Sequence, residues 1–171
     1  MNDRELDIGT AAIVFTDLVG FTAYTDAHGD RAAVDVLDRQ SDIVEGHLAG
    51  CGRIVKELGD GLMLWFEDGS AGLEVARKVL ASVAAARDEF PLAVRMGMHV
   101  GDVIERSGDF VGQTVNIAAR VADLAGPGEL LVTEQVVRSL DAERYVGAFR
   151  PVGPTRVKGV TAPIWIHRLA T

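Results

Sequence analysis

Hydrophobic and polar positions along the chain follow two periods, one typical of strands and one typical of helices. Short apolar or alternating segments predict strands, and longer segments with apolar residues at three- and four-residue spacing predict helices. The predicted strands cover residues 11–16, 53–58, 62–66, 92–100, 103–105, 130–133, 145–152 and 164–169. The predicted helices cover residues 29–48, 71–90, 113–125 and 134–140.

Turn residues between these segments predict how the strands connect. The sequence Gly59-Asp60-Gly61 predicts a hairpin turn, and Gly101-Asp102 predicts a second one. The resulting order β-α-β-β-α-β-β-α-β predicts an α+β fold, a ferredoxin-like core (βαββαβ) with C-terminal β-α-β additions. Such a sheet is expected to be mostly antiparallel with helices on one face. The chain has no repeat or long linker, so we expect a single domain over residues 1–171, with its core at about residues 11–169.

Composition excludes several classes of protein. The 171 residues are 48% hydrophobic, which predicts a folded chain, and the single cysteine, Cys51, excludes a disulfide framework. A net charge of −8 and 6% aromatic residues argue against nucleic-acid binding, including a ferredoxin-like RNA-binding module. The polar N-terminus is not a signal peptide, and no apolar run approaches the ~20 residues of a membrane span. We therefore expect a cytoplasmic protein that contacts neither nucleic acid nor membrane.

Two aspartates are candidate metal ligands. Asp17 follows an apolar strand and precedes a glycine-containing turn, which suits a cation beside a phosphate, although a turn or helix-capping aspartate is the alternative. Asp60 lies in a dipeptide that hairpins prefer, so a purely structural role is also open. In a ferredoxin-like sheet the two can face each other at one end. Facing carboxylates repel unless a cation lies between them, and such a pair suits Mg²⁺ or Mn²⁺ acting on a phosphate.

Four further polar residues are candidates for binding. Lys56 lies on a strand four residues before Asp60, and Asp109 lies near a glycine, where an exposed strand lysine and a loop aspartate are the alternatives. Asn116 and Arg120 share one face of a predicted helix, and arginine suits charge on a transferring phosphoryl group. An ordinary polar helix flank is the alternative. His99 alternates with apolar residues and is interpreted as structural.

The order of four motifs is more specific than any single residue. The segments FTDLVGFT, KELGDGLML, RMGMHVGDV and DFVGQTVNIAAR together resemble the catalytic domain of class III nucleotide cyclases, of the single-domain bacterial adenylyl type. The resemblance covers nearly the whole chain, from about residue 11 to residue 169.

The resemblance implies a phosphate and metal site. Asp17 and Asp60 match the two aspartates that hold two divalent ions, Mg²⁺ or Mn²⁺, and Leu18 contributes a backbone carbonyl. The N–H groups of Val19, Gly20, Phe21 and Thr22 would cradle the β- and γ-phosphates. Lys158 resembles a C-terminal lysine that touches the terminal phosphates in some members, although the residues after it depart from the lysine-richer versions.

The resemblance also implies the residues that read the base and stabilise the reaction. Lys56 and Asp109 match the base-reading pair, Asn116 the residue that orients the ribose, and Arg120 the one that stabilises the transition state. Adenine offers an acceptor at N1 and a donor at N6, which a lysine and an aspartate complement. Guanine presents the reverse, and guanylyl cyclases of this kind commonly carry Glu and Cys instead. Each mismatch costs about 1–3 kcal/mol.

The implied enzyme is an adenylate cyclase that converts ATP to cyclic AMP and pyrophosphate by in-line displacement. Its sites are shared across a head-to-tail homodimer, with the metal aspartates from one subunit and the base-reading pair, Asn116 and Arg120 from the other. Two alternatives remain open: a cyclase with relaxed preference between ATP and GTP, and a non-catalytic domain that binds nucleotide or pairs with a partner cyclase. A degenerate partner is expected to lack some of the six site residues, and this chain lacks none.

Overall fold

The computed structural model describes residues 7–170, which form one mixed α+β unit. The strands are β1 (Asp7–Val19), β2 (Gly52–Leu58), β3 (Gly61–Phe66), β4 (Ala93–Arg106), β5 (Asp109–Val111), β6 (Leu130–Thr133), β7 (Phe149–Thr155) and β8 (Ile164–Leu169). The helices are α1 (Phe21–Leu48), α2 (Gly69–Ala85), α3 (Gln113–Leu124) and α4 (Glu134–Ser139). None of the helices in this part of the chain is long and apolar enough to cross a membrane.

The sheet has the strand order β2-β3-β1-β4-β6-β8-β7, and β5 pairs with β4. Its first four strands are antiparallel and are connected as β1-α1-β2-β3-α2-β4, which confirms the predicted ferredoxin-like core. The later elements extend the sheet through β6, which is parallel to β4, and through the antiparallel pair β7 and β8.

Helices cover both faces of the sheet, which corrects the expectation that they lie on one face. Alternate residues of β1 and β4, such as Val14 and Met96, pack with α1, α2 and α4. The intervening residues, such as Ile13, pack with α3. A Cβ on Gly97 would lie 2.0 Å from the backbone nitrogen of Ala122, so this glycine allows α3 to rest directly on β4.

The predicted hairpin turn at Gly101-Asp102 is wrong. Strand β4 continues through both residues, which pair with Ala11 and Thr10 of β1. Gly101 is required for packing, since a Cβ there would lie 2.6 Å from Thr114 Oγ1 of α3. The chain turns instead at Ser107-Gly108, where both residues have positive φ, and then forms β5. Gly101 therefore serves packing here, and the glycine-aspartate pair does not form a turn.

Candidate active site

Strand β1 carries Asp17 beyond the predicted strand end at residue 16. The strand continues to Val19 because residues 17–19 remain paired with β4, and Asp17 lies opposite Arg95. The chain then reverses at Gly20, whose φ of 81° favours glycine, and α1 begins at Phe21. The predicted helix start at residue 29 is therefore eight residues late, and Gly29 is a break inside the helix.

The first turn of α1 provides free backbone N–H groups directly after Asp17. The first N–H groups of a helix have no intrahelical partner, and the bond from Tyr24 N to Gly20 O is the first that the helix makes. These N–H groups and the positive end of the helix dipole favour an anion such as phosphate. The predicted cradle at Val19, Gly20, Phe21 and Thr22 thus coincides with a strand end, a glycine turn and a helix start.

Asp60 lies in the turn between β2 and β3, next to Asp17. Burial raises the pKa of Asp60, and the negative charge of Asp17 raises it further, while hydrogen bonds from the backbone of Asp60 and Leu18 lower it. The structure therefore brings together the two carboxylates that the sequence predicted to face each other. It also places the backbone of Leu18 beside them.

Arg95 is the functional candidate that sequence reasoning missed. Its Nε and Nη2 both lie 2.6 Å from Asp17 Oδ2, and its Nη1 donates to the carbonyl of Asp123 at the end of α3. The pair is half-buried, with 30% of each side chain exposed. An arginine flanked on both sides by apolar residues was the only signal in the sequence, since its partner lies 78 residues away.

The donor set at this end of the sheet fits a hard divalent ion. Among residues 7–170 no cluster of three or more His, Cys, Asp or Glu side chains could hold a metal. The available ligands are the two carboxylates of Asp17 and Asp60 and the carbonyl of Leu18. Mg²⁺ is commonly bound by one or two carboxylates together with substrate phosphates, so this set fits Mg²⁺ or Mn²⁺ accompanied by a polyphosphate.

Lys56 and Asp109 are in direct contact, with Lys56 Nζ donating to Asp109 Oδ2 at 2.6 Å. A β-bulge at Val55 shifts the register of β2, so that Lys56 pairs with Met63 and shares its face of the sheet. Without that extra residue, strand alternation would place Lys56 on the opposite face. The Lys56 hydrogen bond lowers the pKa of Asp109, so the carboxylate is ionised at neutral pH.

An aromatic stack holds Asp109 in place. Phe110 is buried and stacks on Trp65 of β3 with ring centroids 5.6 Å apart. The guanidinium of Arg53 lies 5.0 Å from the Phe110 ring, and Arg53 also pairs with Glu105. These contacts fix β5 over the sheet and thereby position Asp109 against Lys56.

Asn116 and Arg120 are exposed on α3, one turn apart, as predicted. Arg120 Nη1 lies 3.4 Å from Asp123 Oδ2. A cavity of about 420 Å³ begins at this end of α3. Its lining residues are Arg120, Asp123, Leu124, Arg156, Val157 and Lys158. Three of the six are cations, so the cavity favours an anion, and Arg156 is a second residue that sequence reasoning missed.

A larger cavity of about 810 Å³ lies between α2, the start of β4 and the chain near Leu169. Its lining is mostly apolar, and none of the predicted site residues contributes to it. Its position therefore does not coincide with the chemistry of the carboxylates and cations described above. His99 also has a structural role, since it is buried against Thr133. Burial lowers its pKa to about 4.

The fold is that of the class III nucleotide cyclases. A family model described as the adenylate and guanylate cyclase catalytic domain matches residues 5–169, and the chain belongs to this family. The chain is 31% identical over 169 residues to a pH-sensitive adenylate cyclase of Mycobacterium tuberculosis. This match covers 92% of the chain and 40% of the relative. The chain is also 33% identical over 150 residues to an adenylate cyclase of Streptomyces coelicolor. This match covers 83% of the chain and 37% of the relative.

A crystal structure of the adenylyl cyclase CyaB from P. aeruginosa has the same fold. It superposes with a TM-score of 0.87 at 21% identity and covers 98% of this chain and 96% of that one. The chain spans less than half the length of the two curated relatives above.

Proposed function

We propose that this domain is an adenylate cyclase that converts ATP to 3′,5′-cyclic AMP and pyrophosphate. The observation that carries the choice of substrate is the 2.6 Å contact between Lys56 Nζ and Asp109 Oδ2. N1 and N6 of adenine are neighbouring atoms, so the protein groups that read them must also be adjacent. An ammonium donor beside a carboxylate acceptor complements adenine and opposes guanine at both atoms.

The metal end of the site is formed by Asp17, Asp60 and the carbonyl of Leu18. Two divalent ions held there, Mg²⁺ or Mn²⁺, would neutralise the triphosphate and lower the pKa of the ribose 3′-hydroxyl. The N–H groups from Val19 to Thr22 donate hydrogen bonds to the β- and γ-phosphate oxygens. Arg95, already beside Asp17, adds a positive charge at the same end.

The residues on α3 act on the ribose and on the reacting phosphate. Asn116 orients the ribose, so that its 3′-oxygen is in line with the bond that breaks. The 3′-hydroxyl releases its proton to solvent as that oxygen forms a bond to the α-phosphorus, the bond from the α-phosphorus to the pyrophosphate oxygen breaks, and pyrophosphate leaves. Arg120 stabilises the charge on the five-coordinate phosphorus. Lys158 and Arg156, which line the same cavity as Arg120, bind the terminal phosphates.

We further propose that the working unit is a head-to-tail homodimer. Asp17 and Asp60 of one protomer would act with Lys56, Asp109, Asn116 and Arg120 of the other. Asn116 and Arg120 support this arrangement because they are exposed on α3 and available to a second chain. Each chain carries both halves of a site, so a dimer has two sites, and activity depends on protein concentration.

The test is turnover of ATP and GTP side by side, with Mn²⁺ and then Mg²⁺, over a range of protein concentrations. We expect cyclic AMP from ATP, little product from GTP, and specific activity that rises with concentration. Asp17→Ala is expected to lower the rate by about 100-fold or more. Asp42→Ala, which changes an exposed carboxylate of α1, serves as the matched control.

Two other outcomes would favour the alternatives. Equal turnover of ATP and GTP would replace the proposal with a cyclase of relaxed specificity. No cyclic nucleotide from either substrate, at high protein concentration and with Mn²⁺, would contradict the enzyme proposal and leave a nucleotide-binding or partner-pairing domain.

A further inference from the structure

A buried amide connects helix α1 to both metal-site elements. Gln40 is 2% exposed, among otherwise apolar buried residues of α1. Its Nε2 lies 3.4 Å from Thr16 Oγ1 of β1 and 3.4 Å from the backbone carbonyl of Asp60. Because that carbonyl accepts hydrogen bonds only, the N–H side of the amide must face it. One side chain therefore reaches both the residue before Asp17 and the backbone of Asp60.

Two more contacts join the same pieces of backbone. Thr16 Oγ1 accepts a hydrogen bond from Leu62 N at 3.1 Å, so the threonine hydroxyl connects β1 to the second residue of β3. A Cβ on Gly61 would lie 2.4 Å from the carbonyl oxygen of Thr16, so only glycine allows the turn to come this close. The β2–β3 turn is thus held against β1 directly beside the two carboxylates.

Packing alone does not explain an amide at position 40. Its Oε1 is buried and has no hydrogen-bond partner among the described residues. A buried acceptor without a partner destabilises the fold, and an apolar side chain of equal length would avoid this loss. What an apolar side chain lacks is the donor to Asp60 and Thr16. We therefore expect Gln40 to contribute by fixing the geometry of the β2–β3 turn.

We propose that Gln40 is a positioning residue that sets the separation of the Asp17 and Asp60 carboxylates and thereby the affinity for divalent metal. The proposal rests on the proposed cyclase function, because it assumes that these two carboxylates bind metal. Gln40 itself touches neither metal nor nucleotide. It acts through the Asp60 backbone and through Thr16, as outer-shell residues do when they orient metal ligands.

The experiment measures Mn²⁺ binding directly in Gln40→Met, which keeps the length of the side chain and removes its donor. Electron paramagnetic resonance of free Mn²⁺ gives the dissociation constant, with Mn²⁺ alone and with 3′-deoxy-ATP, which lacks the attacking hydroxyl. We expect affinity for Mn²⁺ to fall by about 10-fold. In turnover assays the KM for ATP at saturating Mn²⁺ should stay unchanged.

Val44→Ala is the matched control, since Val44 is buried on the same helix and makes no hydrogen bond to the turn. It should lower the melting temperature without weakening Mn²⁺ binding. If Gln40→Met binds Mn²⁺ as tightly as Val44→Ala, the positioning role is wrong while the cyclase proposal stands. If the unaltered protein binds no Mn²⁺ and makes no cyclic nucleotide, the proposed function is wrong, and this inference falls with it.

A second pair of variants tests the same contact from β1. Thr16→Val removes the hydroxyl that accepts hydrogen bonds from Gln40 Nε2 and Leu62 N, with little change in side-chain volume. This substitution should weaken Mn²⁺ binding. Thr16→Ser, which restores the hydroxyl, should recover most of that loss. Because the effects share one network, Gln40→Met combined with Thr16→Val should weaken binding by less than the product of the single effects. Multiplicative effects would overturn the proposal.

Discussion

Arg95 holds Asp17 through two nitrogens, Nε and Nη2, each 2.6 Å from the same carboxylate oxygen. The adjacent Asp60 has no comparable ion pair among the described residues, and burial and the charge of Asp17 raise its pKa. The two carboxylates of the proposed metal site therefore differ. Asp17 has a cation of the protein, Arg95, as its partner, whereas ionisation of Asp60 costs the fold stability. Their difference leads to two separate predictions.

Arg95→Gln should change metal binding and turnover in opposite directions. Without nucleotide, Mn²⁺ competes with the guanidinium for Asp17, so we expect the variant to bind Mn²⁺ several-fold more tightly. Turnover should fall by about 10- to 100-fold, because a positive charge near the phosphates is lost. Calorimetric titration with Mn²⁺ and the rate of cyclic AMP formation measure the two effects. Weaker Mn²⁺ binding would show that Arg95 orients Asp17 and does not compete for it.

Asp60→Asn should stabilise the metal-free protein while abolishing activity. A carboxyl group whose pKa is raised in the fold takes up a proton more readily there than in the unfolded chain. Above the raised pKa of Asp60 the carboxylate is ionised, and the fold bears the cost of burial and of repulsion by Asp17. A neutral amide removes that cost, so the melting temperature without metal should rise. Asp42→Asn on the exposed face of α1 should leave it unchanged.

The pH dependence of this effect has a defined sign. As pH falls through the raised pKa of Asp60 towards 3.8, the carboxyl group becomes neutral in the folded state. The stability advantage of Asp60→Asn should therefore shrink in acid. An advantage that grows as pH falls would contradict the assignment of the cost to the ionised carboxylate.

His99 should make the protein less stable in mild acid. Burial lowers its pKa from 6.5 to about 4, so the unfolded chain binds a proton between these values and the fold does not. Stability present above pH 6.5 is therefore lost as pH falls towards 4, by up to about 3 kcal/mol. Urea unfolding at pH 7.5, 6 and 5 should show a steeper loss than in His99→Gln. His28→Gln, at an exposed position, should behave as the unaltered protein.

How much of this molecule could be predicted from sequence differs from element to element. Strands β6 and β8 match their predicted bounds, because turn residues precede each of them, although β6 is buried throughout and β8 alternates buried with more exposed residues. The continuity of β4 could not be predicted, since Gly101 resembles a turn residue and is needed for packing under α3. The same holds for the position of α3 on the second face, which depends on Gly97 and not on helical periodicity.

Individual site residues could be selected from motif order, but their contacts could not. The contact between Lys56 and Asp109 depends on the bulge at Val55, which no pattern in β2 reveals. Arg95 and Gln40 were missed because their partners are distant in sequence and local spacing carries no information about strand register. The functional roles assigned to these residues stay predictions until the variants are measured.

The specificity for adenine should depend on Lys56 and Asp109 acting together. Lys56→Glu combined with Asp109→Cys replaces a donor and an acceptor by groups that complement guanine N1 and O6. We expect the ratio of kcat/KM for ATP to that for GTP to fall by about 100-fold or more, since each mismatched polar group costs about 1–3 kcal/mol. Parallel assays of both nucleotides at saturating Mn²⁺ measure this ratio.

The single variants distinguish base reading from damage to the fold. Lys56→Glu alone places a second carboxylate beside Asp109, so it should lose ATP turnover without gaining GTP turnover. The aromatic stack of Phe110 on Trp65 should hold β5 in place, so the melting temperature should change little. Arg53→Gln serves as the structural control, because it removes a cation from that stack and leaves both base-reading groups. If Arg53→Gln altered the ATP to GTP ratio as strongly as the double variant, specificity would reside in the position of β5 and not in the chemistry of the pair.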